Sequence, residues 1–364
     1  MRIFEVVSVL EDFAPLSVQE KYDNCGLLTG SMQSEVHGIL LALDCTEHVL
    51  REALEKGCDM VITHHPLIFS PLKNLSGSDP VTRTLLFAIK NDIAIYAIHT
   101  NLDNVQDGVN RMIADKLELV DRSVLSPVSG RLRKLVTFAP HAAAAEVRDA
   151  LFAAGAGHIG KYDRCSFNLE GSGTFRPGAN ADPHVGKIGE EHTEPETRIE
   201  VIYPDWREKN ILQALFAAHP YEEVAYDIYR LENAHPEIGA GLIGKLEKPM
   251  AEADFLDLLK EKMGAGVVRY TELRGTAVEK VAVCGGSGSF LIRDAIQAGA
   301  EVFVTADLKY HQFFEADGRI VLADIGHFES EQYTPILIGE ILREKFTNFA
   351  LHFSSVKTNP INYL

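Results

Sequence analysis

Two adjacent histidines, His64 and His65, stand between the apolar run Cys58-Asp59-Met60-Val61-Ile62 and Pro66. The run reads as a short buried strand, so both imidazoles sit where a strand ends. Successive strand residues point to opposite faces, and the two rings can serve one site only if the backbone turns there. Pro66 favours such a turn, because it ends regular pairing and biases the residue before it to extended or turn conformations. The pair can then offer one ring to each of two neighbouring metal ions. The plain alternative is two unrelated loop histidines, since imidazole is the commonest metal ligand but is often only structural.

A second pair, His327 and Glu331, is four residues apart at the entry to a helix, which places both on one face. Imidazole nitrogen and carboxylate oxygen are the donors of open zinc, iron and manganese sites. With His64, His65 and Asp103 this makes three nitrogens and two carboxylates, too many for one open zinc site. They suit two divalent ions about 3.5–4 Å apart, an arrangement that activates a nucleophile and stabilises a leaving oxygen. Alone, His327 and Glu331 would read as a satisfied histidine beside a carboxylate favoured by the helix dipole.

Three further features border this set. His99 lies four residues before Asp103 and is either a ligand or, as we read it, a group that orients Asp103. Lys309 and His311 follow another strand and could meet an anionic substrate or transfer a proton; a structural role is the alternative. Gly286 and Ser287 belong to Gly285–Ser289, a strand-to-helix loop whose backbone N–H groups could cradle a phosphate. That loop lacks both the full GxGxxG pattern and the P-loop lysine.

The elements that must position these residues alternate. Strands are expected at 36–43, 60–63 and 93–98, with helices at 47–56 and from Asp79-Pro80 to about Asn91. Asn104 could cap a further helix to about Leu117. Asp44, His64, His65, His99 and Asp103 all fall at strand ends. In largely parallel sheets that is where ligand sites lie. Asp23-Asn24 reads as a structural turn. Residues 126–235 differ in texture. A strand (135–138), an alanine-rich helix, a strand pair (165–168 and 173–176), a Gly/Pro/His-rich loop, a strand, a helix and a strand suggest a ferredoxin-like α+β module. The glycine-rich stretch 236–244 reads as a return linker, after which strand and helix alternate again. The expected organisation is two α/β halves, 1–125 and 236–364, interrupted by a domain at 126–235.

Composition narrows the function classes. The 364 residues carry a formal net charge of −17, with 46% hydrophobic and 24% charged residues. Such acidity argues against nucleic-acid binding, which needs a cationic face. Five scattered cysteines without a CxxC fit reduced thiols in a cytosol. No apolar run approaches the roughly 20 residues of a membrane span. The start of the chain, with Glu5 inside its first apolar run, does not resemble a signal peptide. A cytoplasmic protein without membrane contact is expected.

Several motifs resemble those of the NIF-three-like family, whose members are commonly named GTP cyclohydrolase 1 type 2 homologues. They are Asp23-Asn24-x-Gly26, Thr63-His64-His65-Pro66-Leu67, His99-Thr100-Asn101-Leu102-Asp103, Ala306-Asp307-Leu308-Lys309-Tyr310-His311, Gly326-His327-x-Glu329-Ser330-Glu331 and Thr358-Asn359-Pro360. The resemblance covers roughly 1–125 and 240–364, while residues 126–235 resemble the PII/CutA-like insert of longer bacterial members. It implies one core of two α/β halves with mainly parallel sheets, a toroidal homohexamer, and a dinuclear metal site facing an inner cavity. The implied ligands are His64, His65, Asp103, His327 and Glu331, with Glu331 as a bridge. Tyr22 stands where Trp is frequent and Ala306 where Gly is common; neither is an implied ligand. The expected function is a dinuclear metal-dependent hydrolase acting on a phosphorylated or nucleotide-like small molecule through a metal-activated water. The alternative is a non-catalytic, metal-binding hexameric scaffold or regulator.

Overall fold

Helix α1 (Ile3–Phe13) carries Ile3, Val6, Val7 and Leu10 at helical spacing, and all four are buried in the computed structural model, which describes residues 1–364. Strand β1 (Gly26–Thr29) precedes an alternation of β2 (Gly38–Ala42), α2 (Glu47–Glu55), β3 (Met60–Thr63), α3 (Pro80–Lys90) and β4 (Ala94–Ala97). Every residue of β2, β3 and β4 is buried, as strands covered on both faces require. Thr46 caps α2 through the Val49 N–H, and Asp79 caps α3 through Thr82, with Pro80 in the first turn.

After β4 the structure departs from expectation. Asn104 does not open a helix. It closes the single turn α4 (Thr100–Asp103), and α5 (Val109–Lys116) begins only after Gly108. The Asn104 amide instead donates to the Val18 carbonyl and to Glu20. Gly108 fixes the break, because a Cβ there would lie 1.7 Å from the Leu102 carbonyl oxygen. Strand β5 (Val120–Ser129) follows.

Residues Val128–Pro236 form the second of two compact units. Its elements are β6 (Leu132–Pro140), α6 (Ala144–Ala153), β7 (Phe167–Phe175), β8 (His192–Pro204), α7 (Glu208–Ala218) and β9 (Tyr226–Leu231). The sheet order is β7-β8-β6-β9, and all three pairings are antiparallel. The first strand therefore lies between the third and fourth, the order of a ferredoxin-like βαββαβ unit. The two short strands expected at 165–168 and 173–176 are one strand, β7, running through Gly171 and Gly173 beside β8.

The other unit joins Met1–Pro127 to Glu237–Leu364. The stretch read as a linker, 236–244, is instead part of strand β10 (Ala234–Ala251). Its glycines mark close backbone approach rather than slack. A Cβ on Gly239 would lie 2.2 Å from the Ser126 carbonyl oxygen, and Gly241 adopts φ 67° against Val283. The remaining elements are α8 (Glu252–Lys262), β11 (Arg269–Tyr270), β12 (Ala277–Ser287), α9 (Ile292–Gln297), β13 (Val302–Ala306), β14 (Val321–Asp324), α10 (His327–Glu331), α11 (Thr334–Lys345) and β15 (Ala350–Phe353).

This unit contains two sheets, ordered β1-β4-β3-β2-β15 and β11-β14-β13-β12-β10-β5. In the first, only β1 is antiparallel to its neighbour. The second is mixed, with β12, β13 and β14 parallel between antiparallel neighbours, so the expectation of mainly parallel sheets holds for one of the two. Nor does each sequence half keep to its own sheet: β15 pairs with β2, and β5 pairs with β10. The C-terminal segment is held further by Glu52 on α2, which accepts from Lys56 and from the hydroxyls of Ser354 and Ser355. Burial alone would raise the Glu52 pKa; these donors outweigh it and bring it down to about 2. No helix is long and apolar enough to cross a membrane.

Candidate metal centre

The site is built where strands of the first unit end. Beyond β3, the Thr63 hydroxyl donates to the His65 carbonyl at 2.8 Å, and the His65 N–H donates to the Leu43 carbonyl at 3.0 Å. The chain curls immediately, which lets both imidazoles turn towards one centre. Beyond β4, the single turn α4 supplies Asp103. Beyond β14, Gly326 at φ 92° admits the sharp entry into α10, which supplies His327 and Glu331.

Each ring is anchored by Nδ1 and offers Nε2 to the centre. His64 Nδ1 donates to the Ile98 carbonyl at 2.9 Å. His65 Nδ1 lies 2.7 Å from Asp44 Oδ1, and His327 Nδ1 2.7 Å from Asp307 Oδ2. On the other side, His65 Nε2 and His327 Nε2 lie 2.9 and 3.0 Å from Glu331 Oε2, and 3.3 Å from each other. His64 Nε2 faces Asp103 Oδ1 at 3.6 Å and Glu331 Oε1 at 3.8 Å. Both His64 Nε2 and Asp103 Oδ1 are buried without a hydrogen-bond partner. Buried polar atoms are rarely left so, and an unmet pair facing a shared gap points to an ion. His64, Asp103 and Glu331 form one group able to hold a metal, His65, His327 and Glu331 another, and His64, His65 and His99 a third.

The His99 ring makes no hydrogen bond to the Asp103 carboxylate, and of its two readings the ligand is the one the geometry allows, since His99 groups with His64 and His65. Its Nδ1 bonds Asp23 Oδ1 at 2.9 Å, and its ring stands 5.1 Å from that of His64 and 5.4 Å from that of His65. Asp23, read as a turn residue, is thus an anchor; it also accepts the Thr100 N–H and hydroxyl. Lys309 and His311 are exposed and do not line the cleft beside the cluster. After β13, Asp307 takes a left-handed conformation (φ 57°), which turns its own carboxylate to His327 and sends residues 309–311 outward. The phosphate cradle is also overturned. The N–H groups of Gly285, Gly286 and Gly288 already donate to Asn110, Ser330 and Thr305. Gly286 instead leaves room: a Cβ there would lie 2.4 Å from Glu331 Oε1. Ser287 lines the cleft.

The Duf34/NIF3 (NGG1p interacting factor 3) family matches residues 1–360. The chain belongs to this family. It is 36% identical over 369 residues to a GTP cyclohydrolase 1 type 2 homolog of Bacillus subtilis, covering 99% of this chain and 98% of the relative. A protein of the same name from Halalkalibacterium halodurans is 38% identical over 365 residues, with coverage of 99% and 98%. The solved structure of a Bacillus cereus protein related to NIF3 matches with a TM-score of 0.89 at 37% identity, covering 100% and 99% of the two chains. A Staphylococcus aureus structure matches with a TM-score of 0.79 at 29% identity, with coverage of 100% and 99%.

In this Duf34/NIF3 chain the cluster balances its own charge with protons. Burial pushes His64 down to about 4, so its ring is neutral. Burial would also lower His65 and His327, but Asp44, Asp307 and Glu331 outweigh it and hold them up at about 9 and about 11. Burial raises Asp103 well above the usual carboxylate range, and Glu331 adds to the rise. Glu331 itself is held well below that range by the three histidines, against the effect of burial. The adjoining cleft encloses about 370 Å³. Tyr22, Phe69 and Phe290 line it with rings that are 65%, 52% and 64% exposed. No lysine or arginine lines it.

Proposed function

We propose that this chain is a dinuclear metal-dependent hydrolase acting on a phosphorylated or nucleotide-like small molecule. The observation that carries this reading is the meeting of three imidazole Nε2 atoms and Asp103 Oδ1 around the two oxygens of Glu331, two of those atoms being buried and unpartnered. The donor set fits divalent ions of the zinc, iron or manganese class. His64, Asp103 and Glu331 would hold one, and His65, His327 and Glu331 the other, with Glu331 shared. Such ions lower the pKa of a bound water and polarise a phosphoryl or carbonyl oxygen.

The chain's own residues supply orientation. The Ile98 carbonyl, Asp44 and Asp307 keep protons on Nδ1, so the Nε2 lone pairs point inward. His99, steadied by Asp23, is placed to exchange a proton with substrate. The rings of Tyr22, Phe69 and Phe290 offer apolar faces to a flat base. The family resemblance adds a toroidal homohexamer and a PII/CutA-like character for residues 126–235. One observation favours a rival reading, a non-catalytic metal-binding scaffold: the cleft lacks a basic residue to meet a phosphate.

Elemental analysis of untagged protein purified without chelator is expected to give about two divalent ions per chain. Those preparations would then be screened with GTP, other nucleotides and phosphoesters. Metal-dependent turnover supports the hydrolase. Two ions without turnover on any substrate leave the scaffold. A value near zero that added zinc, iron or manganese cannot raise overturns both. A finer test is Asp307→Asn, which keeps the shape but lets the His327 tautomer change. It should weaken metal affinity about 10–100-fold, measured by competition with a chromophoric chelator, without altering the melting temperature appreciably. Unchanged affinity would mean that Asp307 does not set the His327 ligand.

A further inference from the structure

The second unit encloses a cavity of its own, about 800 Å³, on the face of its sheet turned away from α6 and α7. Strand alternation explains which residues reach it. Leu135, Ala139, Ile199, Val201 and Tyr203 of β6 and β8 face the helices and build the core. Phe138, Glu196 and Arg198 have the opposite parity and form the cavity floor. Phe175 and Tyr221 make the walls, with ring centroids 6.3 Å apart. Part of the loop after β7, including Pro177, Pro183, His184 and Val185, covers it.

A carboxylate is set into this aromatic space. Glu196 is 8% exposed, and its Oε1 accepts from the Tyr221 hydroxyl at 2.9 Å. Strand β7 makes room for Oε2 with Gly173, where a Cβ would lie 2.2 Å away. Arg198 of the floor does not neutralise it, because it pairs with Glu200, as does the neighbouring Lys134. Glu170, Glu222 and Glu223 also line the cavity, against Arg176 and Arg198. A buried carboxylate is costly unless a cation joins it. Aromatic walls favour that cation when it carries an apolar body.

We propose that the second unit binds a small organic cation, a protonated amine bearing an aromatic or branched aliphatic body, with Glu196 as its counter-ion. The ammonium group lies on the free Glu196 oxygen, and the body packs against the wall that the Phe175 and Tyr221 rings form together. Nothing in this assignment depends on the chemistry at the metal centre.

The test uses the full chain and three probes of one shape: phenethylammonium, 2-phenylethanol and phenylacetate. By isothermal titration calorimetry, phenethylammonium should bind at one site per chain, at least about tenfold tighter than the neutral alcohol, as expected for a buried charge pair. Phenylacetate should not bind. Glu196→Gln keeps the Tyr221 hydrogen bond and should weaken the amine at least tenfold. Phe175→Ala, which leaves the carboxylate in place, should weaken it several-fold. Saturating zinc should leave amine affinity unchanged. Equal binding of alcohol and amine, no amine binding to the wild-type chain, or unaltered affinity in Glu196→Gln would overturn the proposal. Competition with zinc would also overturn it, by placing the amine at the metal centre. If Glu196→Gln fails to fold, the wild-type charge comparison and Phe175→Ala decide the matter.

Discussion

Glu331→Gln is expected to strip the centre of metal, from about two ions per chain to well under one, and to lower any metal-dependent turnover by at least about 10²–10³-fold. The reason is position. Glu331 belongs to both donor groups, and its oxygens lie 2.9 Å from His65, 3.0 Å from His327 and 3.8 Å from His64. Glutamine preserves the volume but removes the charge, and its amide would donate to an imidazole nitrogen that an ion needs free. The fold should survive, because the substitution also releases the protons that Glu331 helps to hold on His65 and His327. The pH dependence carries the same logic. An ion must displace those protons, so metal affinity should fall as pH drops below about 11, where His327 is protonated, and more steeply below about 9, where His65 is protonated too. In Glu331→Gln that dependence should flatten. Elemental analysis after dialysis, with circular dichroism as the fold control, makes the measurement. Retention of two ions by the folded variant would remove Glu331 from the centre and end the shared-carboxylate reading.

The residues that could be found from sequence were those whose relation is local. His64 and His65 are adjacent, and His327 and Glu331 share one helical face; Asp103 follows a strand end. The structure brings all five together. Which carboxylate anchors which histidine was beyond reach for a physical reason. Asp44 lies 21 residues from His65, Asp307 20 from His327, and Asp23 76 from His99. Such contacts depend on which strands become neighbours, and no local pattern encodes that. The pairing of β15 with β2 is a case in point, since it places Thr358 where its hydroxyl reaches Asp44.

Glycine was the other source of error. Glycine-rich stretches have two familiar meanings, slack linker and phosphate loop, and each was assigned once. In both places the glycines serve close approach instead, of β5 against β10 and of Glu331 against β12. The loop after β13 does border the centre, but the left-handed turn at Asp307 delivers that carboxylate and not Lys309 or His311.

Gly286→Ala should therefore damage the centre as severely as removing a ligand, although it removes none. Gly286 adopts φ 61°, and an added Cβ would stand 2.4 Å from Glu331 Oε1 and 3.3 Å from His327 Cε1. The backbone cannot slide away easily: the Gly286 N–H donates to Ser330 Oγ at 2.9 Å, and its carbonyl accepts the Thr305 hydroxyl at 3.1 Å. Glu331 is itself buried on a short helix, so the displaced carboxylate has no nearby space. The expected cost is about 1 kcal/mol for the left-handed conformation plus about 1–3 kcal/mol for the clash. Metal content should fall to about one ion per chain or fewer, because the shifted carboxylate belongs to both donor groups. Gly318→Ala separates the two effects. Gly318 has nearly the same conformation, φ 63°, but nothing within 4 Å of an added Cβ. It should lose only the conformational part, about 1 kcal/mol, and keep the wild-type metal content. If Gly286→Ala also keeps that content and melts no lower than Gly318→Ala, then Glu331 is free to move. The centre would then be held by something other than the packing of β12 against α10.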